Sequence, residues 1–169
     1  AMGKLMKAEF PEIKEFARFN FKSEKWMFQY EDKFLFLDDI HETDSTALLI
    51  FDHDFIQGNP ETALDGKNSM ILSKTMAKRI FGDEDPMGKS LKSGSRLLEV
   101  TGVYQDLPKN THFRYEGLMS VYNGEENFGL TDAQSLNSIG DYTYILLHEG
   151  ASIKTIEDRM GDWIDKYGR

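Results

Sequence analysis

The chain has 169 residues, 40% hydrophobic and 29% charged, which bounds it to one folded domain or two small lobes sharing a core and excludes a disordered chain. Its formal charge is −9, with Lys and Arg scattered rather than clustered, which argues against nucleic acid and an anionic membrane surface as partners. The absence of cysteine excludes disulfides, thiolate metal sites and cysteine nucleophiles.

In chain order, residues 1–3 (Ala1, Met2, Gly3) read as a cloning remnant, since a natural start puts Met first. Residues 10–20 are expected to form a short helix: Pro11 suits the first helical position, and Ile13, Phe16 and Ala17 share a helical face. Residues 25–30 and 34–37 read as two strands joined by a tight turn at Glu31, Asp32 and Lys33. Alternation points Trp26, Phe28, Tyr30, Phe34 and Phe36 one way, which reads as a core face before a ligand groove. Residues 46–52 read as a central strand, apolar on both sides, and 53–60 as a turn-rich bridge. The longest apolar run, 47–51, falls far short of the roughly 18–20 residues of a membrane span.

A short strand is expected over 69–72, followed by a helix that Ser73 caps and Gly82 ends after Phe81. Residues 83–89 form a loop, and 90–92 with 96–105 a hairpin around Ser93, Gly94 and Ser95. A turn at Pro108, Lys109 and Asn110 leads to a strand over 113–121, with Phe113, Tyr115, Met119 and Val121 on one face. Residues 123–140 read as a polar, Gly-rich loop with one helical turn, and 142–149 as a strand. Ser152 caps a final helix through Lys166, with Ile153, Ile156, Met160, Trp163, Ile164 and Tyr167 as its apolar stripe. Helices are too few and too clustered for a doubly wound sheet, so the pattern fits an α+β domain of two packed lobes.

Four constellations invite a chemical reading. Gly82 to Ser90 ends in Gly-Lys-Ser like a phosphate-binding loop, but Gly82 is one residue out of register, three acids fill the loop and a strand follows. Asp52, His53 and Asp54 could ligate a metal with His41 or His112, yet no spacing matches a metal motif. Asp38–Asp39 and Asp83–Glu84–Asp85 resemble hydrolase carboxylates but read as solvated loops. Ser73 and Ser120 lack a nucleophile elbow. No residue is assigned a catalytic, cofactor-binding or metal-binding role.

The segment 71–89 reads hydrophobic–Ser73–x–x–x–Ala77–x–x–Ile80–Phe81–Gly82–x–x–Asp85–Pro86–Met87–Gly88–Lys89. It resembles the periplasmic core domain of MacB/FtsX-type ABC permeases. The continuation over 100–113, with Gly102, Asp106, Pro108, Asn110, His112 and Phe113, is similar to the same family, as is Gly58, Asn59, Pro60 upstream. The resemblance spans about residues 10–167 and is most specific over 51–113.

The resemblance implies an extracytoplasmic domain between membrane helices. A porter-like βαβ lobe would comprise 9–57 and 112–169, and an inserted Sabre-like mixed α/β lobe 58–111. It implies a non-enzymatic role that couples cytoplasmic ATP hydrolysis to movement outside, for export or release of a peptide, lipoprotein or antibiotic. The implied partners are the permease's own membrane helices, a second permease copy, a cytoplasmic ATPase, and a periplasmic adaptor or substrate protein, with no cofactor. A brief 123–140 region sets the chain apart from MacB itself; that loop and the outer face of the 152–167 helix are the candidate contact surfaces. The alternative is a free-standing periplasmic domain that binds or senses a peptide or lipid.

Overall fold

The computed structural model describes residues 2–20, 25–121 and 141–167. The loop expected over 123–140 lies outside the described residues. Among the described residues four helices and ten strands follow one another. Helix α1 (Met2–Glu9) precedes β1 (Ile13–Asn20), the hairpin β2 (Trp26–Tyr30) and β3 (Lys33–Leu37), and β4 (Ile40–Thr43). Then come α2 (Ala47–Ile50), β5 (Phe55–Gly58), β6 (Ser69–Ser73) and α3 (Lys74–Phe81). The chain continues through β7 (Ser90–Ser93), β8 (Arg96–Tyr104), β9 (Gly117–Ser120), β10 (Asp141–Leu147) and α4 (Ile153–Tyr167).

The strands make one mixed sheet in the order β10-β1-β4-β9-β6-β8-β7-β2-β3, with β5 beside β8. Two neighbouring pairs are parallel, β4 with β9 and β6 with β8. The β4–β9 crossover spans α2 through β8, so the middle of the chain is an excursion between two adjacent strands. β6 and β9 are buried at every position, as central strands covered on both faces should be. On one face Met70, Leu72 and Met119 pack with α3, Phe28, Tyr30 and Leu37. On the other, Ile71 and Leu118 pack with Ala17, Phe19, Tyr104, Phe113 and Tyr115. A third cluster, Met6, Phe10, Ile13, Ile156 and Trp163, joins α1 and α4 to the β1–β10 end. Met2 and Gly3 are part of α1, and a Cβ on Gly3 would fall 2.3 Å from the Phe16 ring.

Several expected elements hold: the β2–β3 hairpin, β6, α3 with its Ser73 cap and Gly82 terminus, the β7–β8 hairpin, β10 and α4. Six expectations are corrected. Residues 10–20 do not form a helix; the helix is α1, and β1 follows it. A bulge between Ile13 and Glu15 sets Ile13 against Leu147 and Phe16 against Ile145. The extra residue puts Ile13 and Phe16 on one face three positions apart, which imitates helical spacing. Residues 46–52 hold the single turn α2 rather than a strand; a short apolar run does not distinguish the two by periodicity. The bridge expected over 53–60 contains β5, paired antiparallel with β8.

The aromatic band divides. The two-residue turn at Glu31 (φ 52) and Asp32 pairs Tyr30 with Lys33, so Phe28 and Tyr30 share a face with Leu35 and Leu37. Phe34 and Phe36 face out, 61% and 58% exposed. Finally, the strand expected over 113–121 begins only at Gly117. Phe113 and Tyr115 pack with Leu118, and Met119 goes to the opposite face. On α4 the stripe is narrower than expected: Ile156 and Trp163 are buried, and Ile153 and Ile164 are exposed.

Candidate functional site

The residues of the two sequence signatures are spread over both ends of α3, the end of β5, β8 and the turn that follows it. Ser73 Oγ accepts the amide of Met76 at 3.1 Å and caps α3. Asp106 adds a second cap from the far side, accepting from the Thr75 amide at 2.9 Å and the Thr75 hydroxyl at 2.6 Å. These bonds hold the Asp106 carboxyl below its usual pKa. Gly82, at φ 65, ends the helix with its amide on the Lys78 carbonyl oxygen.

The 83–89 loop is organised from within. Asp85 Oδ1 accepts from the Met87 amide at 3.1 Å and from Gln57 Nε2 at 3.3 Å. The Pro86 carbonyl accepts the Lys89 amide, and the Gly88 amide reaches the Val100 carbonyl at 2.9 Å, which docks the loop on β8. Lys89 Nζ is bound to Glu84 Oε2 at 2.6 Å, and Tyr30 also donates to Glu84. The Glu84 carboxylate raises the Lys89 pKa, and the Lys89 and Tyr30 donors lower that of Glu84. Lys89, the lysine of the apparent phosphate motif, therefore serves a local ion pair, and β7 starts at once behind it. Phe81 stacks edge-on against Tyr30, with ring centroids 4.8 Å apart.

Gly58 closes β5 at φ 91, where a Cβ would lie 2.4 Å from the Thr101 carbonyl oxygen. Asn59 Oδ1 accepts the Glu61 amide, which forms the turn through Pro60. Gly102 makes room for the Phe55 ring, 2.6 Å from where its Cβ would stand. In the second turn the Pro108 carbonyl accepts the amide and hydroxyl of Thr111, one residue past Asn110. His112 Nε2 meets the Tyr144 hydroxyl at 3.2 Å, and Phe113 sits edge-on to Phe19 with centroids 5.2 Å apart.

Sequence reasoning singled out His53 but missed its setting. Its Nδ1 donates to the Phe51 carbonyl at 2.8 Å and its Nε2 accepts from the Tyr115 hydroxyl at 2.7 Å. Tyr104 stacks on it edge-on with centroids 5.0 Å apart. Burial lowers the His53 pKa and raises those of Tyr104 and Tyr115. Both ring nitrogens are used within the protein, and no cluster of three or more His, Cys, Asp or Glu with metal-binding geometry occurs among the described residues.

Two shallow clefts lie on the surface, the first of them beside the turn after Asp106. One of about 280 Å³ lies at the start of α3, bordered by Asp39, Thr75, Asp106, Lys109, Arg114 and Glu116. The other, about 390 Å³, is bordered by Asp44, Thr46, Asp65, Lys67 and Ser120. Both mix charges of each sign. Neither places a nucleophile, a base and an orienting group together.

A family model described as the MacB-like periplasmic core domain matches residues 2–162. The chain belongs to the MacB-like periplasmic core domain family. This family is a periplasmic, and so extracytoplasmic, part of ABC-transporter permeases and not a known enzyme family. Solved structures share the fold. A domain of a proposed permease protein from Porphyromonas gingivalis is 21% identical with a TM-score of 0.74, covering 99% of this chain and 76% of that one. The periplasmic region of MacB from Actinobacillus actinomycetemcomitans is 16% identical with a TM-score of 0.67, covering 97% and 72%. The extracellular domain of the ABC-type transporter YknZ from Gram-positive bacteria is 20% identical with a TM-score of 0.62, covering 98% and 81%. No curated protein matches the chain. No helix among the described residues is long and apolar enough to cross a membrane.

Proposed function

We propose that this MacB-like domain is the moving outer part of an integral inner-membrane permease, coupling cytoplasmic ATP hydrolysis to export or release of a substrate such as a peptide, lipoprotein or antibiotic. Its partners in this reading are the permease's own membrane helices, a second permease copy, an ATPase on the cytoplasmic side, and a periplasmic adaptor or substrate protein.

The observation that supports this best is the union of the first and last helices. Glu9, at the end of α1, accepts from Lys166 Nζ at 2.8 Å and from the Tyr167 hydroxyl at 2.9 Å. Arg159 Nη2 donates to the Glu9 carbonyl at 3.2 Å while its guanidinium lies 4.7 Å from the Phe10 ring centroid. Membrane segments joined to the start of α1 and the end of α4 would then act on the same β1–β10 end of the sheet, where both helices share one cluster. In the same reading the signature residues Gly58, Asn59, Pro60, Ser73, Phe81, Gly82, Asp85, Pro86, Gly88, Lys89, Gly102, Asp106, Pro108, Asn110, His112 and Phe113 are structural. They fix how strands and helices begin and end.

We also propose the lobe division 9–57 with 112–169 against 58–111. The β2–β3 hairpin of the first segment lies against the second, since Phe28, Tyr30 and Leu37 pack with residues 70–103. The outer face of α4, where Ile153 and Ile164 are exposed, is the contact surface assigned to permease partners.

The test is the parent gene, read through both ends of this chain and scored for hydropathy. One apolar span of about 20 residues upstream and three downstream is the expected result. A cleavable signal peptide, this domain and a stop codon would overturn the reading in favour of a free binding or sensor domain.

A further inference from the structure

β3 is the outermost strand of the sheet among the described residues. Its register pairs Tyr30 with Lys33 and Phe28 with Leu35. In a two-residue hairpin the residues flanking the turn exchange both backbone bonds, and so does every second pair beyond them. The amides and carbonyls of Phe34 and Phe36 therefore point away from β2, toward the open edge.

The same two residues carry the exposed rings. Their cross-strand neighbours extend the surface: Met27, opposite Phe36, is 48% exposed. A row from Phe34 through Gln29 and Lys92 ends at Leu97, which is 58% exposed. Arg79 Nη2 approaches the Phe36 carbonyl oxygen at 3.5 Å, a long contact to an atom with a second lone pair.

An apolar edge of this kind is normally blunted by charges or proline within the strand. Here Lys33 is the only charged residue inside β3, and the acids stand outside it, Glu31 and Asp32 before and Asp38 and Asp39 after. Lys25 offsets Asp38 at 3.3 Å. These acids decide the occupant. A second copy pairing antiparallel about Leu35 would match Phe34 with Phe36 but would also bring the turn acids Glu31 and Asp32 of each copy up to Asp38 and Asp39 of the other, at both ends of the paired strands. Like charges directly opposite each other destabilise a strand pair, and each copy carries a formal charge of −9. A foreign strand with basic ends meets the same edge with opposite charge at each end.

We propose that the β3 edge receives, by strand addition, an extended segment of a partner protein whose alternating apolar residues are bracketed by Lys or Arg. Main-chain bonds to Phe34 and Phe36 supply the register, and Phe34, Phe36 and Met27 cover the incoming side chains. The inference rests on this surface alone and stands or falls apart from the transport reading.

The experiment uses the full 169-residue chain with ¹⁵N labelling. The probes are two capped peptides of alternating valine and threonine, one with paired lysines at each end and one with paired glutamates. The lysine peptide is expected to slow amide exchange at Phe34 and Phe36 and to bind at least about tenfold tighter than the glutamate peptide, an advantage that shrinks in salt. The double variant Phe34→Thr, Phe36→Thr changes exposed positions only. It is expected to lose binding with its thermal midpoint unchanged. Equal affinity for both peptides, or no protection by either, overturns the proposal. Concentration-dependent protection of the same amides without peptide, with a doubled sedimentation mass, overturns it in favour of a second copy.

Discussion

His53 Nε2 lies 2.7 Å from the Tyr115 hydroxyl while its Nδ1 lies 2.8 Å from the Phe51 carbonyl oxygen. A carbonyl can only accept, so Nδ1 carries the proton and Nε2 takes the hydroxyl's hydrogen. Burial favours the neutral imidazole over the imidazolium here. The ring ties the segment before β5, early in the central excursion, to the turn before β9 that follows it.

That geometry sets a pH dependence. Burial lowers the His53 pKa from its ordinary 6.5, and burial likewise lowers that of His41, whose Nδ1 lies 3.0 Å from the Asn20 carbonyl oxygen. Below the ordinary value the unfolded chain binds protons that the folded chain refuses. Stability is therefore full above about pH 7 and falls as pH drops through the histidine range toward the lowered folded values. Thermal unfolding between about pH 7.5 and pH 5 should show the midpoint falling. His53→Gln should lower stability at neutral pH and make the slope shallower. An unchanged slope in that variant would refute the neutral assignment.

Glycine substitutions should separate two kinds of strain. At Gly58 a Cβ would meet the Thr101 carbonyl oxygen at 2.4 Å and the Gly102 Cα at 2.9 Å, both backbone atoms that cannot rotate away. At Gly88 the φ of 72 is unfavourable for alanine, yet nothing lies within 4 Å of the added Cβ. Gly88→Ala should cost about 1 kcal/mol and Gly58→Ala about 2–4 kcal/mol, because only the latter must part β5 from β8. Urea unfolding of both variants measures the difference. Equal losses would mean that the close approach of β5 to β8 is relaxed in solution.

Much of this was legible in the sequence where the local signal and the tertiary setting agree. Ser73 and Gly82 bracket α3 because their chemistry suits a cap and a left-handed terminus. Ser93 to Arg96 turns the β7–β8 hairpin for the same local reason. What misled was geometry set at a distance. The β1 bulge is created by pairing with β10, more than a hundred residues away, and it disguises a strand as a helix. The outward turn of Phe34 and Phe36 follows from the length of one turn, since a shift of one residue moves every side chain to the other face. The Asp106 cap on α3 joins two turns that sequence singled out separately, and no spacing rule relates them.

Asp106→Ala tests that link. The carboxylate satisfies the Thr75 amide and hydroxyl at the first turn of α3, a role similar to that of an N-cap supplied from elsewhere in the fold. Its loss should lower stability by about 1 kcal/mol. Asp106→Asn keeps an accepting oxygen and should lose less. Amide exchange reports the locus: protection should fall at Thr75 before it falls in β6. Uniform loss across the sheet would instead assign Asp106 to the folding of the whole excursion.

The ion pair of Arg18 with Asp44 should carry more weight than the surface pairs. Asp44 accepts from the Arg18 amide at 2.8 Å, from Nε at 2.8 Å and from Nη2 at 2.5 Å, with the two side chains only 13% and 17% exposed. Thr43 adds a bond from its hydroxyl to the Arg18 carbonyl at 2.8 Å, so this corner fastens the end of β4 to β1 where the central excursion departs. Asp44→Ala strips two acceptor contacts from a largely buried guanidinium and one from the Arg18 amide, and should cost about 2–4 kcal/mol. Removing both partners should cost less than the sum of the single losses, because no largely buried charge then loses its ion-pair partner. A double-mutant cycle with Arg18→Met measures this directly. Strict additivity would mean that the pair contributes packing and backbone capping, with no mutual electrostatic term.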